Sequence, residues 1–231
     1  MPDTAARFLD ALRLLRAEPE LDRIRKRLAP GDDAIGVRMK DLFDTAEAAQ
    51  HMPLDQLEAL FASDLYEARM GALCILDFRA RRRRASEADR RAGYEFYLRH
   101  LDRITTWDMV DRAAPSVVGG HLLGRSTAPL VELARAPQPL RRRTAITAPL
   151  WFVRYGDEAD LRAVFPLAAL LARDPEPVVH MAVGIALKHA GGRDAAAVER
   201  FLDEHAAQMA RAAVRSAVQK LAPGVRSRFV G

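Results

Sequence analysis

The chain has 231 residues, of which 49% are hydrophobic and 29% charged, long enough to bury a real core. No run approaches the ~18 apolar residues of a membrane span, and charges come too early for a secretion signal, so a soluble cytoplasmic protein is expected. Net charge is +5 with a pI of 9.8, and of the 36 basic residues only Lys26, Lys40, Lys188 and Lys220 are lysines. Forked guanidinium donors suit phosphate oxygens, although a GC-rich genome enriches arginine for its own reasons.

In chain order, the dominant pattern is helical. Phe8, Leu9, Leu12 and Leu15 form a first apolar stripe, followed by the basic run Arg23, Arg25, Lys26 and Arg27, read as a solvated face. Pro30-Gly31-Asp32 breaks the chain before Gly36-Val37-Arg38-Met39 leads into another helix, and Pro53 precedes a stripe of Leu57, Leu60 and Phe61. Cys74, the one cysteine, lies in an apolar run and reads as a small buried hydrophobe. Arg79 and Arg81–Arg84 close that helix. They number more than helix capping needs, so phosphate binding and capping both stay open.

Next comes Ile104-Thr105-Thr106-Trp107-Asp108-Met109-Val110-Asp111-Arg112-Ala113-Ala114-Pro115. Thr105 with Asp108 has the spacing of a capping box opening a helix, on which Trp107 and Asp111, at i and i+4, share one face. Pro115 predicts a bend near Asp111, and Gly119-Gly120 a loosened turn. From these residues alone two readings stand: a carboxylate beside an indole at a functional junction, or a core tryptophan with an aspartate serving nearby backbone amides.

Pro137-Gln138-Pro139 precedes Arg141-Arg142-Arg143, on a helix expected to run on through Trp151 and Phe152. A stripe of Leu161, Val164, Phe165, Ala168 and Leu171 ends at Asp174-Pro175-Glu176-Pro177. Val178, Val179, Ala182, Val183 and Ala186 follow, then Gly191-Gly192, then Val214, Ala217, Val218 and Leu221. Helix, breaker and helix recur every ~35–45 residues, the period of HEAT-type solenoids. The expected fold is therefore all-α: a single domain over residues 1–231, a HEAT-like solenoid of stacked antiparallel helix pairs with a concave basic face. The six histidines show no helical metal spacing, and no glycine pair is followed by the Gly-Lys-Ser/Thr of a phosphate loop. Neither a metal nor a cofactor is expected.

The sequence Trp107-Asp108-x-Val110-Asp111 followed by Ala114-Pro115 and a glycine resembles the signature of the AlkD-like DNA alkylation repair family. Gly36-Val37-Arg38-Met39, Arg141-Arg142-Arg143-Thr144-Ala145-Ile146 and Ala182-Val183-Gly184 extend the resemblance over nearly the whole chain. It implies a HEAT-like solenoid that binds duplex DNA and excises cationic N3- and N7-alkylpurines by hydrolysing the N-glycosidic bond, without a base-flipping pocket. Asp111 would stabilise the oxocarbenium-like sugar and position water. Trp107 would pack on the deoxyribose or face the cation. Arg143 would hold a phosphate, with Arg141, Arg142, Lys188 and Arg38 as further DNA-binding residues.

Two positions depart from the family pattern: Leu140 and Ile185 stand where it has tryptophans, which thins the aromatic cleft. Trp151 is a candidate substitute. A non-catalytic member that recognises damaged or branched DNA, and a HEAT-type protein-interaction scaffold, are the competing readings. A monomer is expected, and the lesion preference is open.

Overall fold

A computed structural model describes residues 2–230. These residues are all-helical, with two isolated bridges, Arg16 to Val37 and Asp33 to Leu65, and no strand among them. Among the described residues, no helix is long and apolar enough to cross a membrane. The described residues group into two compact units, one running up to Ala113 and the other starting at Ala114.

The first unit contains α1 (Ala5–Arg13), α2 (Glu18–Arg25), α3 (Met39–Ala48), α4 (Leu54–Ala62), α5 (Tyr66–Arg81), α6 (Glu87–Arg99) and α7 (Trp107–Ala113). Thr4 caps α1 by accepting from the Arg7 amide, and the helix buries Phe8 and Leu12. Leu15 of the expected stripe falls beyond the helix end at Arg13 and is exposed. Acidic Glu18 and Glu20 open α2, while Arg23 and Arg25 close it, each matched to the helix dipole.

Helix α5 is the centre of the unit, buried without interruption from Tyr66 to Asp77 and packed on α3, α4, α6 and α7. A helix enclosed on all sides has no polar face to show, hence the lack of clear amphipathicity. Its Gly71 admits the Phe8 ring, which would lie only 2.5 Å from a Cβ at that position. Its wholly buried Glu67 accepts the amides of Ile35 and Gly36 at 2.8 Å and of Val37 at 3.2 Å. Gly36 has φ +91°, and a Cβ there would meet Leu21 Cβ at 2.7 Å. The Gly36-Val37-Arg38-Met39 motif is thus a loop strapped to a buried carboxylate, which delivers Arg38 to the N-cap of α3.

The second unit opens with a π-helical segment, Ala114–Gly119, followed by α8 (Gly120–Leu122), α9 (Ala128–Ala134), α10 (Pro139–Thr147) and α11 (Leu150–Tyr155). Then come α12 (Glu158–Arg162), α13 (Val164–Leu170), α14 (Pro177–Gly191), α15 (Ala195–His205), α16 (Arg211–Ala217) and α17 (Pro223–Val230). Helix α14 is the hub, packed on α10, α13, α15 and α16. At Gly184 a Cβ would sit 2.6 Å from the Ala213 carbonyl oxygen, so α14 and α16 meet backbone to backbone.

The expected breakers Pro137-Gln138-Pro139, Asp174–Pro177 and Gly191-Gly192 all fall at helix boundaries. Two expectations fail here. The Leu161–Leu171 stripe is split between α12 and α13, and α12 opens on an Asp157/Asp160 capping box. The Arg143 helix does not reach Trp151, because it ends at Thr147 and restarts at Leu150 after Pro149, which lacks an amide to donate.

Candidate nucleic-acid interface

In the first unit, α7 is held at both ends. Thr106, buried, donates its hydroxyl to Asp108 Oδ1 at 2.6 Å, and the Met109 amide donates to the same oxygen at 3.1 Å. Asp108 Oδ2 accepts the Tyr66 phenol at 2.8 Å and pairs with Arg27 Nη2 at 3.1 Å. Arg27 also donates to the Tyr66 hydroxyl at 2.9 Å and lies over its ring. Burial, and then the charge of Asp108, push the Tyr66 phenol well above its ordinary range, so it stays a neutral donor.

The capping box between Thr105 and Asp108 is not formed. Thr105 donates instead to Asp32 Oδ2 at 2.6 Å, and Asp32 Oδ1 pairs at 2.7 Å with the wholly buried Arg69. Arg27, expected on a solvated face, is part of the α7 anchor.

At the far end of α7, Arg112 pairs with Asp77 Oδ2 at 2.6 Å, and its guanidinium lies over the rings of Phe43 and Phe78. Asp77, 1% exposed, also takes Arg81 Nε at 2.6 Å. Cys74 is buried beside this cluster, and burial pushes its thiol up to about 12. Arg79, for which phosphate binding and capping both stood open, donates to the Gln50 and Met52 carbonyls, and Arg82 to Gln50 Oε1 at 3.0 Å. Arg79 and Arg82 therefore close the turn after α3.

Between these anchors, Trp107 is 45% exposed and Asp111, one turn on, is half-buried. The two lie about 100° around the helix from the anchored pair Asp108 and Arg112. Arg38 is exposed. At Pro115, where a bend is expected, the chain passes from α7 into the π-helical segment Ala114–Gly119. Such segments recur at functional sites.

In the second unit, Arg141, Arg142 and Arg143 ride on α10. Arg142 grips Asp174 through two parallel bonds, Nε to Oδ2 at 2.6 Å and Nη2 to Oδ1 at 3.1 Å, and donates to the Ala136 and Pro137 carbonyls. Asp174 is 5% exposed, and its bond to Arg142 raises the guanidinium pKa further. Arg143 is 4% exposed and donates to the Val178 carbonyl in the first turn of α14. Arg141 is half-buried, as are Leu140 and Ile185.

Lys188, half-buried, lies in the last turn of α14 beside His189. Burial, then the charges of Lys220 and Lys188, hold the His189 imidazole below its ordinary range. Trp151 is on α11, 4.3 Å centroid to centroid from Tyr155. Gly119 is a point of close approach and not a loosened turn, since its Cβ would meet the Ala148 carbonyl oxygen at 2.1 Å and Trp151 Cβ at 2.9 Å.

The sequence reading missed Tyr66, Arg27, Asp77 and Asp32. Tyr66 and Arg27 meet Asp108, Asp77 meets Arg112, and Asp32 meets Thr105 just before α7, each across a long stretch of chain with no local pattern to mark the pairing.

The model of the DNA alkylation repair enzyme family matches residues 8–221. Among solved structures, the chain is similar to a predicted DNA alkylation repair enzyme from Enterococcus faecalis, with a TM-score of 0.66 and 15% identity over 90% of this chain and 97% of that one. At that identity the likeness is one of fold. Among curated proteins none matches significantly.

Proposed function

The chain belongs to the DNA alkylation repair enzyme family, and from that premise we propose that it is a glycosylase releasing cationic N3- and N7-alkylpurines from duplex DNA. The observation that carries this reading is α7, where an indole left 45% exposed stands one turn from a carboxylate on a helix whose neighbouring carboxylate is already saturated with donors.

The chemistry asks little of the protein. An alkylated purine leaves as a neutral base, so no strong general acid is needed. The sugar left behind carries positive charge at its anomeric carbon. The Asp111 carboxylate stabilises that charge and orients the water that attacks it. Trp107 offers its face to the sugar or to the cationic base. Exposed Arg38 in the first unit, and Lys188 and Arg141 in the second, supply phosphate contacts. Arg142 and Arg143, engaged by Asp174 and Val178, shape α10 and α14.

The test is release of methylated purine from alkylated duplex. Wild type should exceed spontaneous depurination, and Asp111→Asn should lose about 100-fold or more in rate while still binding duplex. Salt-dependent duplex binding without any release would favour the non-catalytic DNA-binding reading, which the aliphatic Leu140 and Ile185 make the natural second choice.

A further inference from the structure

Helix α7 carries two stripes. Asp108 and Arg112, one turn apart, are bound to Tyr66, Arg27 and Asp77. Trp107 and Asp111, also one turn apart, ride on the same helix about 100° away. Turning α7 about its axis would therefore re-aim the second stripe. A side-chain tip ~6 Å from a helix axis moves about 1 Å when the helix turns ~10°, and about 1 Å of misplacement can cost ~100-fold in rate.

We infer that Asp108, held by Tyr66 and Arg27, is a positioning residue that sets the rotation of α7 and thereby the direction in which Asp111 and Trp107 face the reacting sugar. This rests on the glycosylase reading. Asp108 is suited to the task because its two oxygens take donors from different places. Thr106 and Met109 belong to the start of α7 itself, whereas Tyr66 and Arg27 belong to α5 and to the segment after α2. One carboxylate thus ties the first turn of α7 to the body of its unit. The Arg27 guanidinium also offsets the charge of Asp108.

The variants are Asp108→Asn and the milder Tyr66→Phe, which keeps the ring and removes one donor. Two readouts are paired. The first is single-turnover release of methylated purine at saturating enzyme, with duplex affinity measured in parallel. The second is acrylamide quenching of Trp107 fluorescence in a Trp151→Phe background without DNA. The expected result is release slowed about 10- to 100-fold per bound complex, unchanged duplex affinity and altered Trp107 quenching. Arg27→Lys, which keeps a cation beside Asp108, should restore more of the rate than Arg27→Ala.

A merely structural bond would lower thermal stability and leave both readouts at the wild-type value, which would overturn the inference. If wild type itself releases no base, the glycosylase reading falls, and Trp107 quenching alone decides whether Asp108 orients α7. If Asp108→Asn does not fold, Tyr66→Phe supplies the same two readouts.

Discussion

Helix α7 of the first unit and helix α10 of the second both carry a short polar run on a packed helix, and their side chains are disposed differently. On α7 the polar residues divide by position: Asp108 and Arg112 bond inward to Tyr66, Arg27 and Asp77, while Trp107 remains 45% exposed beside Asp111. On α10 two of three adjacent arginines turn to internal acceptors, Arg142 to Asp174 and Arg143 to the Val178 carbonyl. Residue type is a poor guide to which cation meets a phosphate. A guanidinium satisfied by a buried carboxylate in two parallel bonds has little left for a ligand, whereas an exposed charge with fewer internal partners can still trade its water for one.

That contrast can be broken by experiment. The largest effect is expected at Arg142. Removing it leaves Asp174, 5% exposed, without its cation, so Arg142→Ala should cost about 3–5 kcal/mol in unfolding free energy by denaturant titration. The folded variant should bind duplex with an unchanged salt slope. A flattened slope with unchanged stability would make Arg142 a phosphate ligand after all.

Lys188→Ala should behave oppositely, with stability within about 0.5 kcal/mol and the slope of log K against log salt reduced by about 1. Arg38→Ala should give the same pattern in the first unit.

The smallest effect concerns His189. Burial and the nearby lysines lower its folded pKa, so the unfolded chain takes up the proton first as pH falls. Stability should therefore decline as pH drops through about 6.5, the ordinary histidine value, and level off below the folded pKa. His189→Gln should flatten that decline. A phosphate placed near Lys188 would favour the imidazolium, so duplex DNA should move the His189 titration upward by NMR. A titration unmoved by DNA would place the phosphates elsewhere.

Much of the fold was legible because it is encoded locally. Proline and glycine breakers fall at helix ends, and the stripes of Phe8 and Leu12, Leu57 to Phe61 and Val179 to Ala186 are buried. The misreadings came where one local rule overrode another. Leu15 continued an apolar period past the end of its helix, and Pro149 interrupted a run that periodicity joined. Pro115 lies in a wider π turn, which its residue type alone does not mark.

At the candidate site, Trp107 and Asp111 stood out through their spacing and their family signature. The anchors did not: Tyr66 is 42 residues from Asp108 in sequence, and Asp174 is 32 from Arg142. Such pairings are made by tertiary packing, so an arginine in a run looks the same on paper whether it will meet water or a buried carboxylate.

In the glycosylase reading it is the Asp111 carboxylate that drives base loss. Its most direct measurement is the time course of free methylpurine appearing from a methylated duplex, with enzyme in excess, for wild type and Asp111→Asn side by side. Wild type should release base steadily, and the variant should fall to the spontaneous rate at equal duplex occupancy. Equal release by both proteins would contradict that reading.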